Sequence, residues 1–303
     1  MPELPDITVY IEALERRVVG HTLLKAQIVN PFVLRSFDPP IRQAEGRPVT
    51  ALSRLGKRIV LELDAPEDEP LFLVIHLMIA GRLHWHETPP KINRRRTLAA
   101  FTFDSGTLTL TEAGTKRRAS IHFVRTSKAL LALGRGGLEV LEASLRAFGE
   151  RLMSENHTLK RALTDPRLFS GIGNAYSDEI LHKARMSPLT LTSRLTDEGV
   201  RTLYEATRAV LTEWTERLRR EAGEKFPEKV TAFREGMAVH GRFRQPCPSC
   251  GASVQRIRYA DNETNYCAKC QTGGKLLADR SLSRLLKDDW PRSLEELEDL
   301  TTR

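Results

Sequence analysis

The sequence predicts an α+β protein: an N-terminal helix leading an antiparallel β-sandwich or barrel, then a helical region and a small cysteine module. Three observations carry this. Ile7, Ile11, Leu14 and Val18 fall at helical spacing. Residues 49–125 are short runs rich in β-branched and aromatic residues, cut by turn material. From residue 141 onward the spacing is helical again, and all four cysteines fall in two close pairs beyond it.

A chain of 303 residues is long enough for two cores. Apolar residues make up 40% and charged residues 28%, as in ordinary globular proteins. The net charge of +8 favours a polyanionic partner, nucleic acid first, although solubility alone explains it equally well. No run of 18 apolar residues occurs, so no membrane span is expected. Met1-Pro2-Glu3 does not read as a secretion signal. So few, paired cysteines argue against a disulfide scaffold and for a reducing cytoplasm.

Taken in order, the first helix is expected over 5–19. Strands are expected at 59–63, 71–77, 81–85, 98–103 and 107–111. Turn residues such as Thr88-Pro89-Pro90 and Asp104-Ser105-Gly106 separate them. Gly134-Arg135-Gly136-Gly137 reads as a linker, which sets a first domain of 1–135. Helices follow at 141–154, 156–165, 174–185 and 196–222 within a second domain of 136–239. The last carries an apolar stripe of Leu203, Ala206, Val210, Leu211, Trp214 and Leu218. The cysteine module occupies 240–271. An extension of 272–303 with no assigned role ends the chain and is expected to be helical over 276–287.

Cys247 and Cys250 are separated from Cys267 and Cys270 by 16 residues, a spacing that suits one tetrahedral zinc ion. Four protein ligands close the coordination shell, so the ion is structural. The module is too small for a core of its own, so zinc should hold it folded. Arg242, Arg244, Arg256, Arg258 and Lys269 around it suit a surface that faces DNA. Between two helices, Gly171-Ile172-Gly173-Asn174 allows a tight turn. Asn174 can cap the helix that follows, and a helix start suits a phosphate. A plain connection between helices explains the spacing as well. Pro2 becomes a secondary amine once Met1 is removed, with a pKa of about 8, so that some is neutral and nucleophilic at cellular pH, and Glu3 stands beside it.

Taken together, Met1-Pro2-Glu3-Leu4-Pro5, Lys57 on a strand, Gly-Ile-Gly-Asn between helices and the C-terminal cysteine pairs resemble the formamidopyrimidine-DNA glycosylase / endonuclease VIII family. The resemblance covers residues 1–271. It implies a helix-led β-sandwich, a helix–two-turns–helix domain and a zinc finger. It also implies an enzyme that excises oxidised bases from damaged DNA and then cleaves the abasic strand. A monomer is expected, although the sequence leaves the oligomeric state open. Pro2 would attack C1′ of the damaged nucleotide, Glu3 would protonate the opening sugar, and Lys57 would hold a phosphate near the lesion. Lys160, Asn174 and Tyr176 would grip phosphates around the extruded nucleotide, with Glu179 in support. Arg117 would fill the vacated space.

The sequence departs from the family pattern at several positions. Ile79 stands where the family has a wedge methionine, and Ala119 where it has a phenylalanine wedge. Asn262 replaces the phosphate-binding arginine of the finger, and Asp6 replaces a glutamate. These changes favour a distorted, abasic or single-stranded substrate. His84 and His86 share a strand face without an evident third metal ligand. His76 and His122 read as strand residues, and Arg94-Arg95-Arg96 as a loop that is either solvated or on phosphate. The rival function is a non-catalytic DNA-binding module that marks lesions. An enzyme acting on RNA or free nucleosides is disfavoured, because a nucleoside needs no large basic surface.

Overall fold

A computed structural model describes residues 1–65, 70–113, 116–228, 230, 233–259, 262–278, 285 and 291–297. The chain divides into two compact units, Met1–Gly136 with Glu213–Thr231, and Gly137–Thr212 with Ala232–Arg303. Among the described residues no helix is long and apolar enough to cross a membrane.

The first unit opens with α1 (Leu4–Val18). Pro5 sits in its first turn, where a missing N–H costs nothing. Glu3 and Asp6 form a reciprocal capping box, and the Glu3 N–H donates to Asp6 Oδ2 at 2.8 Å. Ile7, Tyr10, Leu14 and Val18 make the buried face. Eight strands follow: β1 (Thr22–Ile28), β2 (Arg47–Leu55), β3 (Arg58–Leu63), β4 (Leu71–His76), β5 (Gly81–His86), β6 (Thr97–Phe103), β7 (Gly106–Glu112) and β8 (Ser120–Arg125). Their antiparallel order is β5-β7-β6-β1-β2-β3-β4-β8. β1 and β2 pair only through Thr22↔Pro48 and Leu23↔Arg47, so the sheet reads as two halves joined there. Ile59, Leu61, Leu73, Ile75 and Phe123 from one half share a core with Leu23, Phe101, Leu108 and Leu110 from the other. This is the expected sandwich.

β1 has no counterpart in the sequence reading. A register shift between Leu23 and Lys25 breaks its alternation, so Leu24 and Lys25 both face out between buried Leu23 and Ala26. The short helix α2 (Ser127–Ala132) was also missed. Thr126 caps it by accepting from the Ala129 N–H at 3.2 Å. Leu130 and Leu133 beside it pack against Val60, Phe72 and Val74 on the outer face of the sheet.

The second unit holds α3 (Leu145–Met153), α4 (Leu159–Thr164), α5 (Asn174–Lys183) and the start of α6 (Asp197–Ala222), whose C-terminal part clusters with the first unit. α3 and α4 start later than their periodicity suggests, because the Ser144 and Thr158 hydroxyls accept from Ala147 and Arg161 and set the first turns. The hairpin of β9 (Val254–Tyr259) and β10 (Asn262–Cys267) leads into α7 (Ala268–Thr272).

The C-terminal extension returns to this hairpin. The Leu276 N–H donates to Arg292 O and the Leu294 N–H to Gly274 O. Leu276 packs with Tyr266, Ala268 and Leu294, and the Leu277 N–H donates to the Tyr266 hydroxyl at 2.8 Å. Leu276, Leu277 and Ala278 are not helical, and most of the helix expected over 276–287 lies outside the described residues. Leu276→Ala should therefore lower the unfolding free energy by about 2 kcal/mol. Urea unfolding measures the loss, and limited proteolysis should cut the hairpin faster than in the wild type.

Candidate functional site

In the first unit the chemistry gathers where the capping box of α1 holds the chain start. Pro2 is buried, and Glu3 and Asp6 are 2% and 3% exposed. Burial holds the amine of Met1 below the usual α-amino pKa. Glu3 opposes this, Arg82 reinforces it, Asp6 opposes it and Lys57 reinforces it. An amine kept partly neutral, with a carboxyl group and two cations at hand, can attack an electrophilic carbon and pass on protons.

Lys57 lies in the turn after β2 with Gly56, whose φ of +65° suits glycine, and not on a strand as expected. A tight turn from Leu77 to Gly81 presents Ile79, which is 58% exposed. A Cβ at Gly81 would meet the Leu77 carbonyl oxygen at 2.3 Å, so this turn admits only glycine. Arg117 is exposed and donates to the Arg95 carbonyl in the basic loop. Ala119 is buried, and its N–H and that of Arg118 donate to the Glu112 carboxylate.

On the outer face of the sheet a row runs from Arg58 to His76 to Ser120 across β3, β4 and β8. His122 stands one step along β8 on the same face, opposite Val74. Burial pushes the His76 pKa down to about 4, with Arg58, Lys57 and His122 adding to the shift. Burial also lowers His122, helped by Arg58 and Arg35. His84 and His86 bond to the Thr111 and Thr109 hydroxyls at 3.0 and 3.1 Å across to β7. They join no metal-capable group among the described residues.

In the second unit α5 is the organising element. Asp178 is buried, and its Oδ2 accepts from the Asn265 N–H at 3.1 Å and pairs with His240 Nδ1 at 2.8 Å. Its Oδ1 pairs with Lys160 at 2.5 Å. Glu179, 5% exposed, accepts from the backbone N–H groups of Ala238, Val239 and His240. Burial pushes its pKa up while those three donors pull it down. Further along the helix, His182 Nε2 lies 3.3 Å from Cys247 Sγ. The sulfurs of Cys247, Cys250, Cys267 and Cys270 all lie within 4.8 Å of one another. Two of the separations are 3.9 and 3.4 Å. A tetrahedral ion with bonds near 2.3 Å needs about 3.8 Å between sulfurs, so the residues fit a bound zinc ion.

The formamidopyrimidine-DNA glycosylase N-terminal domain matches residues 1–121 and the H2TH domain matches 137–221. The zinc finger found in FPG and IleRS matches 244–273. The chain belongs to the formamidopyrimidine-DNA glycosylase family. A formamidopyrimidine-DNA glycosylase of Heliobacterium modesticaldum is 32% identical over 285 residues, spanning 89% of this chain and all of that protein. An uncharacterized formamidopyrimidine-DNA glycosylase-like protein of Mycobacterium tuberculosis is 40% identical over 151 residues, spanning 50% of this chain and 94% of that one. Among solved structures, the Thermus thermophilus MutM (Fpg) protein is 31% identical with a TM-score of 0.73, covering 89% of this chain and 98% of that one. Lactococcus lactis Fpg in complex with abasic-site DNA shares the fold, with a TM-score of 0.77 at 22% identity and coverage of 89% and 99%.

Several residues expected to contact DNA are turned inward in this family member. Lys160 Nζ donates to Asn174 O, Ser177 Oγ and Asp178 Oδ1, so all three of its protons go to internal partners. Tyr176 is 1% exposed and belongs to the core. Asn174 is not the cap of α5, since Gly173 takes that position, and its Nδ2 donates to Glu263 O at 2.7 Å. Glu179 is likewise buried and bonded within the fold. The Asn262 side chain lies outside what is described. Asp178, His182, Arg82 and Arg58 were missed, because no local pattern marks a residue whose partners lie in other segments.

His76 supplies a pH dependence. The unfolded chain protonates it below about 6.5, whereas the fold resists until about 4. Stability is thus fully present above the upper value and is lost as pH falls through that window. The loss should amount to about 2 kcal/mol, and His76→Gln should flatten part of the slope when urea unfolding is followed from pH 7 to 4.

Proposed function

We propose that this chain is a DNA glycosylase that excises damaged bases and then cleaves the abasic strand, with Pro2 as nucleophile once Met1 is removed. The observation that carries the reading is geometric: Pro2 is buried at the chain start beside Glu3, and the capping box of α1 holds both in place. A flipped nucleotide offers its anomeric carbon to such an amine. The Pro2 nitrogen bonds to C1′ as the damaged base leaves. Glu3 protonates O4′ as the sugar opens to an iminium. The iminium acidifies C2′, whose proton is removed while the 3′ phosphate departs. Lys57 holds a phosphate beside the reacting nucleotide, and Arg117 and Ile79 occupy the space it leaves. With Ala119 buried and no aromatic wedge in its place, the reading favours nucleotides that are already easy to extrude.

In the second unit Lys160 is best read as a positioning residue that holds the Asn174 carbonyl and Asp178. The start of α5 then offers its dipole to a phosphate. Zinc on the four cysteines would hold the β9–β10 hairpin as a DNA-facing surface, supplying structure and no chemistry. The Heliobacterium relative is named a formamidopyrimidine-DNA glycosylase, which supports the glycosylase part of the reading.

Borohydride reduction in the presence of an abasic oligonucleotide tests the proposal. The wild-type chain should be trapped covalently, Pro2→Gly should be trapped less, and an acetylated N-terminus should abolish trapping. Trapping that survives acetylation defeats the role of Pro2. DNA binding without trapping favours a protein that only marks lesions. Metal analysis should return one zinc per chain, and removal of the metal by a chelator should weaken DNA binding and loosen the hairpin to proteolysis.

A further inference from the structure

We propose that Arg58 and His122 form a phosphate pocket on the outer face of the sheet that holds one phosphodiester of the DNA backbone. The inference rests on the reading that the chain binds DNA, and it adds a contact which neither the sequence motifs nor the nucleophile requires.

The register places the pocket. Arg58 pairs with His76, and His76 with Ser120. The adjacent row is Val60, Val74 and His122. All of these side chains share the face opposite the sandwich core, where Val60, Phe72 and Val74 pack beneath Leu130 and Leu133. That apolar floor dries one side of the cluster.

The charges are all of one sign. Arg58 feels Arg135, His76 feels Arg58, Lys57 and His122, and His122 feels Arg58 and Arg35. No carboxylate stands among the groups acting on these three. Two nitrogens are also buried without a hydrogen-bond partner, Nε of Arg58 and Nδ1 of His122. A fold that keeps a desolvated guanidinium beside imidazoles held towards their neutral form, with orphaned polar nitrogens among them, carries a cost that a bound anion would reduce. The guanidinium offers a planar fork of donors, and an imidazole N–H adds one more, which suits a phosphate oxygen pair.

The pocket adjoins the reacting centre. Lys57 acts on both the Met1 amine and His76, so the cation row continues from the chain start onto the sheet face. A strand whose damaged nucleotide meets Pro2 would carry a neighbouring phosphate over Arg58. A phosphodiester of DNA and free inorganic phosphate offer the same chemistry here, and the backbone is the source proposed.

Equilibrium binding of the full chain to a duplex with an uncleavable abasic analogue, followed over a range of salt, tests this without catalysis. Arg58→Gln should weaken affinity about tenfold at low salt and reduce the slope of log K against log salt by about one. His122→Gln should weaken binding in the same direction, most strongly at low pH. Neither variant should melt below the wild type, since each removes an uncompensated group. A single uncharged methylphosphonate linkage beside the analogue should reproduce the loss in the wild type and add nothing further in Arg58→Gln. An unchanged salt slope overturns the proposal, and so does a loss of affinity matched by a lower Tm. Stabilisation of the wild type by inorganic phosphate, with DNA affinity unaltered in both variants, overturns the backbone assignment. Wild-type trapping on abasic DNA together with an unchanged slope removes the pocket and leaves the enzyme. A wild-type chain with no affinity for DNA removes both.

Discussion

The reciprocal bonds between Glu3 and Asp6 are the constraint on which the rest of the site depends. A chain terminus is ordinarily loose unless something ties it down. Here the first turn of α1 closes on itself, and Ile7, Tyr10 and Leu14 fix that helix in the sandwich core. The start of the chain is thereby held in one place and partly dried, which is what depresses its amine pKa. Asp6 is one methylene shorter than the glutamate of the family pattern, yet it closes the box at 2.8 Å. The shorter side chain therefore keeps the cap.

The second unit depends on two adjacent carboxylates that face different partners. Glu179 gathers three consecutive backbone N–H groups of the segment leading to the cysteines. Asp178 ties Lys160, His240 and Asn265 to the same helix. A buried carboxylate is tolerated only with donors of this number and quality. His182 extends the chain of contacts to Cys247, so α5 supports the metal-binding hairpin from behind. The returning extension gives that hairpin a second, apolar support through Leu276 and Tyr266. Metal ligation at Cys267 and apolar burial at Tyr266 thus act on adjacent positions of one strand end, which alternation points to opposite faces.

The cation row on the sheet face shows the reverse arrangement. The carboxylates of α5 are satisfied within the fold, whereas Arg58 and His122 are left with buried nitrogens that find no partner. Satisfied polar groups serve architecture. The unsatisfied nitrogens of Arg58 and His122 carry a cost in the free protein that the proposed phosphate would reduce.

Much of this chain was legible in its sequence because the deciding signals are local. The 3.6-residue spacing of Ile7, Ile11, Leu14 and Val18 determines α1, and short runs rich in β-branched and aromatic residues mark β3 to β7. The spacing of four cysteines determines a metal site, since two tight pairs need only be brought together once. The tertiary structure decided what depends on pairing between distant segments. It made β1 a strand despite its broken alternation, because β6 supplies the partner across the bulge. It moved Lys57 into a turn, and it turned Lys160 and Tyr176 inward, because burial is a property of neighbours that one-dimensional spacing does not record. It also aligned Arg58, His76 and His122, which lie far apart in the chain, and only strand register can place such residues side by side.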